Sequence, residues 1–171
     1  AERAPTVRFA TFNASLNRSS EGQLVEHLSN PGVNDVFRRQ IRNVAEVIQR
    51  VDPDVLLINE FDYAPAAVNL FKQNFLQVSQ NGAPPIYFEH AYIAPSNTGI
   101  PSGFDLNNDG LIGGPNDAFG FGFFPGQFGM AVFSKYPIDL SSVRTFQLFL
   151  WKDMPGNLIP PGFFDEEELD V

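Results

Sequence analysis

The stretch from Asp54 to Glu60, DVLLINE, constrains the fold of this chain more than any other feature. Val55 to Asn59 carry no charge and suit a buried strand, and Glu60 places a carboxylate at the end of it. Pro53 lacks an N–H and disfavours helical geometry in the residue before it, so it ends the helix predicted upstream. In α/β proteins, the carboxyl ends of buried strands open into the crevice where ligands bind. We therefore predict an α/β (α+β) fold with Glu60 at a functional edge of its sheet.

The segments on either side of this stretch predict a regular alternation of strands and helices. Val7 to Phe12 alternates as a first strand that ends at Asn13. From Phe37 to Val51, apolar residues recur at spacings of four and three, which predicts an amphipathic helix with Arg38 on its solvent face. Asn34-Asp35 offers its N-cap. The other predicted elements are a short helical piece near 22–28, a helix from 64 to 78, and strands at 87–93, 129–134 and 143–151.

Composition limits the classes of function. A chain of 171 residues predicts one domain over 1–171, in which 94–128 form a long loop without periodicity. Eleven basic residues against 20 acidic ones give a net charge of −9, which argues against non-specific nucleic-acid binding. There is no cysteine, and no apolar run approaches the length of a membrane span. The acidity and the start at Ala1 suggest a secreted or periplasmic protein. A first residue chosen for expression of the polypeptide explains Ala1 equally well.

Asn13 and Glu60 are the first candidate site residues. Each follows a predicted strand, and two parallel strands in one sheet would bring both side chains to the same edge. A carboxylate beside an amide oxygen suits a hard divalent cation such as Mg²⁺. The alternative is a capping asparagine and an unrelated surface glutamate.

Three segments together resemble the endonuclease/exonuclease/phosphatase superfamily, which has the deoxyribonuclease-I-like fold. They are 7–13, 53–60 and 129–138, and they occur in the family's order with a helix between the first two. The resemblance implies a two-sheet α/β sandwich and a metal-dependent phosphoesterase. It implies that Glu60 binds Mg²⁺ (or Mn²⁺) and that Asn13 helps to bind the metal or the scissile phosphate. The expected substrates are phosphorylated small molecules, phospholipids or nucleotides.

The sequence departs from the family pattern after residue 138, where it contains no histidine and no Asp-x-Asn motif. For His27 and His90 we expect surface positions or satisfied packing. We therefore expect an incomplete sandwich, the N-terminal portion of a longer enzyme, inactive alone and associated with a second copy or with its own C-terminal fragment. The alternative is a non-catalytic, calcium-stabilised interaction module on the same fold.

A candidate calcium loop begins at Asp105. Asp105, Asn107 and Asp109 occupy loop positions one, three and five, with glycine at six and the Leu111 carbonyl at seven. Two residues are candidates for the final ligand: Asn116 at position twelve and Asp117 at position thirteen. The alternative interpretation is a turn rich in Asp and Asn.

Ser96 and Asn97 are candidate substrate-binding residues. They lie among glycines and small polar residues, and such segments can hold a phosphate through backbone N–H groups.

Overall fold

The computed structural model describes residues 6–170. All four strands belong to one mixed sheet with the order β1-β2-β4-β3. In chain order, the strands and α-helices are β1 (Phe9–Leu16), α1 (Gln23–Ser29), α2 (Val36–Val51), β2 (Val55–Phe61), α3 (Pro65–Phe71), β3 (His90–Ile93) and β4 (Met130–Ser134).

The pairing of the strands fixes where their ends lie. β1 and β2 are parallel, with Phe9 opposite Val55 and Asn13 opposite Asn59. Parallel neighbours need a long crossover, and α1 and α2 supply it. β4 is antiparallel to both β2 and β3, so Met130 lies opposite Asn59 at the carboxyl end of β2. The predicted α/β fold is confirmed.

The hydrophobic core lies between the helices and one face of the sheet. Phe133 of β4 is fully buried, and its ring lies 6.3, 6.0 and 5.8 Å from the rings of Phe61, Phe71 and Phe88. Aromatic rings at these distances add to the stability gained from burial. The buried positions of α2 are Arg38, Ile41, Val44, Ala45, Ile48 and Gln49.

The opposite face of the sheet, called the outer face below, carries a mixture of apolar and polar side chains. Phe9 is 74% exposed and Met130 is 51% exposed. Because paired residues project to the same side, the outer face also includes Thr11, Asn13, Leu57, Asn59, Tyr92 and Val132.

The start of α2 confirms one prediction and overturns another. Asp35 is the N-cap, and its Oδ1 accepts the backbone N–H of Arg38 at 2.8 Å. Arg38 was predicted on the solvent face, but its side chain is buried. The guanidinium forms ion pairs with Asp35 and Glu26, and these partners compensate its removal from water.

Three predicted elements differ from the structure. The predicted strand at 143–151 is wrong, because residues 143–150 form no strand and Trp151 begins the 3₁₀ turn Trp151–Asp153. The helix predicted from 64 to 78 consists of α3 followed by a π-helical turn, Lys72–Leu76. β3 is shorter than the predicted strand. No helix among the described residues is long and apolar enough to cross a membrane.

Contacts divide the chain into two compact units. Unit one comprises the residues up to Pro95 together with Gln127–Ile138, and it contains the whole sheet and all three α-helices. Unit two comprises Ser96–Gly126 and the residues from Asp139 onward. The candidate calcium loop lies in unit two, whereas Asn13 and Glu60 lie in unit one.

Candidate active site

The side chains of Asn13 and Glu60 meet at the carboxyl ends of β1 and β2. Asn13 Nδ2 donates a hydrogen bond to Glu60 Oε1 at 2.8 Å. Asn13 is exposed on the outer face, and Glu60 is half-buried. The sheet therefore brings together the two residues that the sequence predicted to share one edge.

The backbone at the end of β2 is what turns Glu60 toward Asn13. Successive strand residues point to opposite faces, so a regular strand would place Glu60 opposite to Asn59 and away from the outer face. Glu60 instead has a left-handed backbone with φ of 57°. In β1 the register shifts after Asn13, and Ser15 is also left-handed, with φ of 50°. These two irregularities allow the amide and the carboxylate to meet.

Among the described residues, the hydrogen bonds around the pair involve only one of the two carboxylate oxygens of Glu60. Asn13 Oδ1 accepts the backbone N–H of Ser15 at 3.3 Å, so the Asn13 amide bridges β1 and Glu60. The Asn13 amide fixes Glu60 Oε1, while Glu60 Oε2 is the oxygen that remains to bind a cation. Mg²⁺ is commonly bound by one or two carboxylates while it keeps several waters. The donor set at this edge therefore fits a hard divalent cation.

The described residues contain no group of three or more His, Cys, Asp or Glu side chains arranged around a common point for a metal. At the ends of β1 and β2, Glu60 supplies one carboxylate and Asn13 supplies the amide beside it.

Asp62 is a supporting residue that the sequence analysis missed. Its Oδ2 accepts the backbone N–H of Arg18 at 2.8 Å, and its Oδ1 accepts that of Phe128 at 3.2 Å. Gln127 Nε2 donates to the Arg18 carbonyl at 2.7 Å. Asp62 thus ties the segments after β1 and before β4 to the end of β2. An acid two residues beyond Glu60, directly after the predicted buried strand, was the available signal.

Burial governs the ionisation of Asp62. Removal from water raises the pKa of this carboxyl group from 3.8 to about 6, although the N–H groups of Arg18 and Phe128 and the charge of Arg18 oppose the rise. The carboxyl group therefore titrates close to neutral pH.

His27 has a packing role, which is one of the two positions expected for it from the sequence. It lies in α1, it is buried, and its ring stacks on Phe37 at 4.6 Å. His27 Nδ1 accepts a hydrogen bond from Arg18 Nε at 2.8 Å. Burial lowers the pKa of His27, and the charges of Arg18 and Arg38 lower it further. The neutral imidazole is therefore favoured over the imidazolium in the folded protein.

His90 does not belong to the Asn13–Glu60 edge either. It pairs with Ser134, and Ser134 pairs with Val55 at the start of β2. His90 therefore lies at the opposite end of the sheet from Glu60.

The candidate calcium loop is closed by its own hydrogen bonds. Asp105 Oδ1 and Asn107 Oδ1 both accept the backbone N–H of Asp109, at 3.0 and 3.1 Å. Asp105 Oδ2 accepts the N–H of Gly110 at 2.7 Å, so the glycine at position six provides the turn. The side-chain oxygens at positions one and three therefore converge on one amide. This arrangement is also that of a turn rich in Asp and Asn, and calcium binding stays a prediction.

The two candidates for the last ligand differ in their burial and hydrogen bonds. Asp117 is buried, and its two oxygens accept the N–H groups of Leu106 at 2.9 Å and Gly113 at 2.8 Å. Asn116 is exposed, and so is Leu111. Asp117 therefore acts in the structure as the residue that closes the loop.

Ser96 and Asn97 participate in local contacts within unit two. Ser96 Oγ lies 2.6 Å from Thr98 Oγ1, and Asn97 Nδ2 donates to the carbonyl of Gln147 at 3.0 Å. Their proposed role with a substrate stays a prediction.

The comparison with known proteins gives the class of this chain. Residues 10–169 match the Endonuclease/Exonuclease/phosphatase family, which covers nearly the whole sequence. The chain belongs to this family, and the predicted resemblance and fold are confirmed. Members of the family generally hydrolyse phosphate esters and typically use divalent metals. No curated protein and no solved structure gives a significant match.

Proposed function

We propose that this chain provides the metal-binding edge of a Mg²⁺- or Mn²⁺-dependent phosphoesterase. The observation that supports the proposal is the hydrogen bond of 2.8 Å between Asn13 Nδ2 and Glu60 Oε1 at the ends of two parallel strands. Membership of the Endonuclease/Exonuclease/phosphatase family gives this pair its chemical meaning.

Each residue has a separate role in the proposal. A bound divalent cation would neutralise the charge that develops on the phosphate oxygens. Glu60 would hold the cation through its free carboxylate oxygen. Asn13 keeps the carboxylate in one orientation and offers its amide to the phosphate. Asp62 positions Glu60, because it ties together the backbone segments on both sides of β2.

The described residues do not place a histidine beside Glu60, and hydrolysis also needs a base or an oriented water opposite the leaving group. His27 is buried as a packing residue, and His90 lies at the other end of the sheet. We therefore expect this polypeptide to bind the metal without appreciable turnover of its own.

Charge favours small substrates in this proposal. A net charge of −9 repels a polyanionic duplex, whereas a single phosphate group can be neutralised by one bound cation. Phosphorylated small molecules, phospholipids and nucleotides are therefore the proposed substrate classes.

Binding of Mn²⁺ followed by electron paramagnetic resonance tests the proposal. We expect Glu60→Gln to weaken one class of Mn²⁺ site by about tenfold or more, since a charged ligand is replaced by a neutral one. Glu89→Gln is the matched control, because Glu89 is exposed and precedes His90, which lies at the opposite end of the sheet from Glu60. Equal Mn²⁺ binding by the wild type and Glu60→Gln would refute the assignment. Hydrolysis of bis(p-nitrophenyl) phosphate by the purified chain would contradict the expected lack of turnover.

A further inference from the structure

A pocket of about 570 Å³ lies entirely within unit two, and of its lining residues the sequence analysis named only Asn97 as a candidate site residue. Its lining includes Asn97, Gln147, Leu148, Trp151, Lys152 and Phe164. Pockets that bind small molecules are typically of this size, with mainly apolar walls and a few polar groups.

The wall of the pocket exposes large apolar side chains to solvent. Leu148 is 92% exposed, and Trp151 is 50% exposed. The Trp151 ring packs edge-on against Phe164, with 6.3 Å between ring centres, and a 3₁₀ turn fixes the backbone at Trp151–Asp153. Adjacent exposed apolar side chains on an ordered wall are typical of a binding surface.

Each charged side chain of the wall has a partner within unit two. Lys152 forms an ion pair with Asp170. Glu168 Oε2 accepts the backbone N–H of Asp165 at 2.8 Å. An anionic ligand would have to compete with Asp170 for Lys152, and a cationic ligand would have to compete with Lys152 for Asp170. The wall therefore favours a ligand without net charge.

Two amide side chains supply the polar groups of the wall. Asn97 Nδ2 donates to the Gln147 carbonyl at 3.0 Å, and Gln147 Nε2 donates to the Ser96 carbonyl at 3.3 Å. Each amide nitrogen gives one of its two N–H groups to the backbone, and no hydrogen bond to either amide oxygen occurs among the described residues. A ligand that satisfies them needs a hydroxyl or an N–H.

We propose that this pocket binds a small uncharged molecule with an aromatic or branched apolar body and at least one hydrogen-bond donor. The apolar body would pack on Trp151 and Leu148, and the donor would bond to the amide oxygen of Asn97 or Gln147. This inference does not depend on the proposed hydrolase function.

Trp151 makes the test direct, because it is the single tryptophan of the chain and lines the pocket. Quenching of its fluorescence is measured during titration with three naphthalene probes: 2-naphthol, naphthalene-2-sulfonate and trimethyl(2-naphthyl)ammonium. We expect saturable quenching by 2-naphthol, with an affinity about tenfold or more above that of either charged probe. Equal or tighter binding of a charged probe overturns the proposal.

A matched pair of leucine variants locates the binding. Leu148 and Leu158 are 92% and 87% exposed, so Leu148→Ser and Leu158→Ser should both leave the fold intact, and Leu148 lines the pocket whereas Leu158 does not. We expect Leu148→Ser to weaken binding of 2-naphthol by about fivefold, because the ligand no longer buries an apolar side chain there. Leu158→Ser should bind as the wild type does. Equal effects of the two variants would overturn the proposal. A shift of Trp151 emission with protein concentration, in the absence of a probe, would also overturn it. The second outcome would indicate that another copy of the chain fills the pocket.

Discussion

Replacement of Asp62 by asparagine should change how the stability of unit one depends on pH. Burial raises the pKa of Asp62 from 3.8 to about 6, so the folded protein binds this proton more tightly than the unfolded chain does. The stability contributed by Asp62 is therefore fully present below pH 3.8 and is lost as the pH rises through about 6. The asparagine side chain has nearly the same shape as the aspartate and cannot titrate.

The magnitude follows from the size of the pKa shift. A rise from 3.8 to about 6 corresponds to about 3 kcal/mol at about 1.4 kcal/mol per pH unit. The quantity to compare is the difference in the free energy of unfolding, wild type minus Asp62→Asn. We expect this difference to fall by about 3 kcal/mol as the pH rises from 3.5 to 7. Groups that are common to both proteins cancel in this difference.

Urea unfolding followed by circular dichroism measures the effect, because α1, α2 and α3 all belong to unit one. The buffer should contain a chelator so that no cation at Glu60 contributes. Asp54→Asn is the control within the same unit, since hydrogen bonds from Arg8 and Lys135 lower the pKa of Asp54. Its contribution is present above the ordinary pKa and is lost as the pH falls, which gives the opposite slope. Parallel curves for the wild type and Asp62→Asn would refute the reasoning.

Three further predictions concern the core, the loop and the outer face. Phe133→Ala should lower the free energy of unfolding by about 3–5 kcal/mol, because it leaves a cavity among three rings, and urea unfolding measures it. The double variant Asp105→Ala, Asp109→Ala should abolish the heat of Ca²⁺ binding in isothermal titration, because it removes the carboxylates at loop positions one and five. Light scattering should show self-association through the outer face, and Phe9→Ser should reduce it, because Phe9 is 74% exposed on an edge strand.

Each of these predictions has its own control or contrary outcome. Phe146→Ala is the control for Phe133→Ala, since Phe146 is 70% exposed and its loss should cost less than about 0.5 kcal/mol. An unchanged heat of Ca²⁺ binding in the double variant would leave the loop as a turn rich in Asp and Asn. A monodisperse wild-type monomer of 19.0 kDa at high concentration would contradict self-association.

The sequence was sufficient to predict the elements that depend on residues close together along the chain. The apolar run from Val55 ends in the acid that the structure places at the sheet edge, and Asp35 caps α2 as predicted. Order and spacing of the strands were enough to predict that Asn13 and Glu60 meet. The left-handed backbone at Glu60 was not predictable, because no glycine marks it.

Features that depend on distant partners could not be predicted. The residues 143–151 alternate as a strand does, yet a strand forms only where a neighbour supplies the ladder of hydrogen bonds, and the structure has 3₁₀ turns at Leu140–Ser142 and Trp151–Asp153. Arg38 was predicted to face solvent because its partner Glu26 belongs to a different helix, α1, and the pairing cannot be read from the sequence of α2. The role of Asp62 likewise depends on N–H groups that belong to other segments.

The unusual backbone at position 60 carries a cost that the fold alone does not require. A residue with a side chain loses about 1 kcal/mol or more in the left-handed region, where glycine loses almost nothing. Glu60→Gly would therefore relieve strain while it removes the carboxylate, so the variant should keep the fold and lose the cation. Under the proposed function, this acid lowers the stability at one position and supplies a ligand for the divalent cation there.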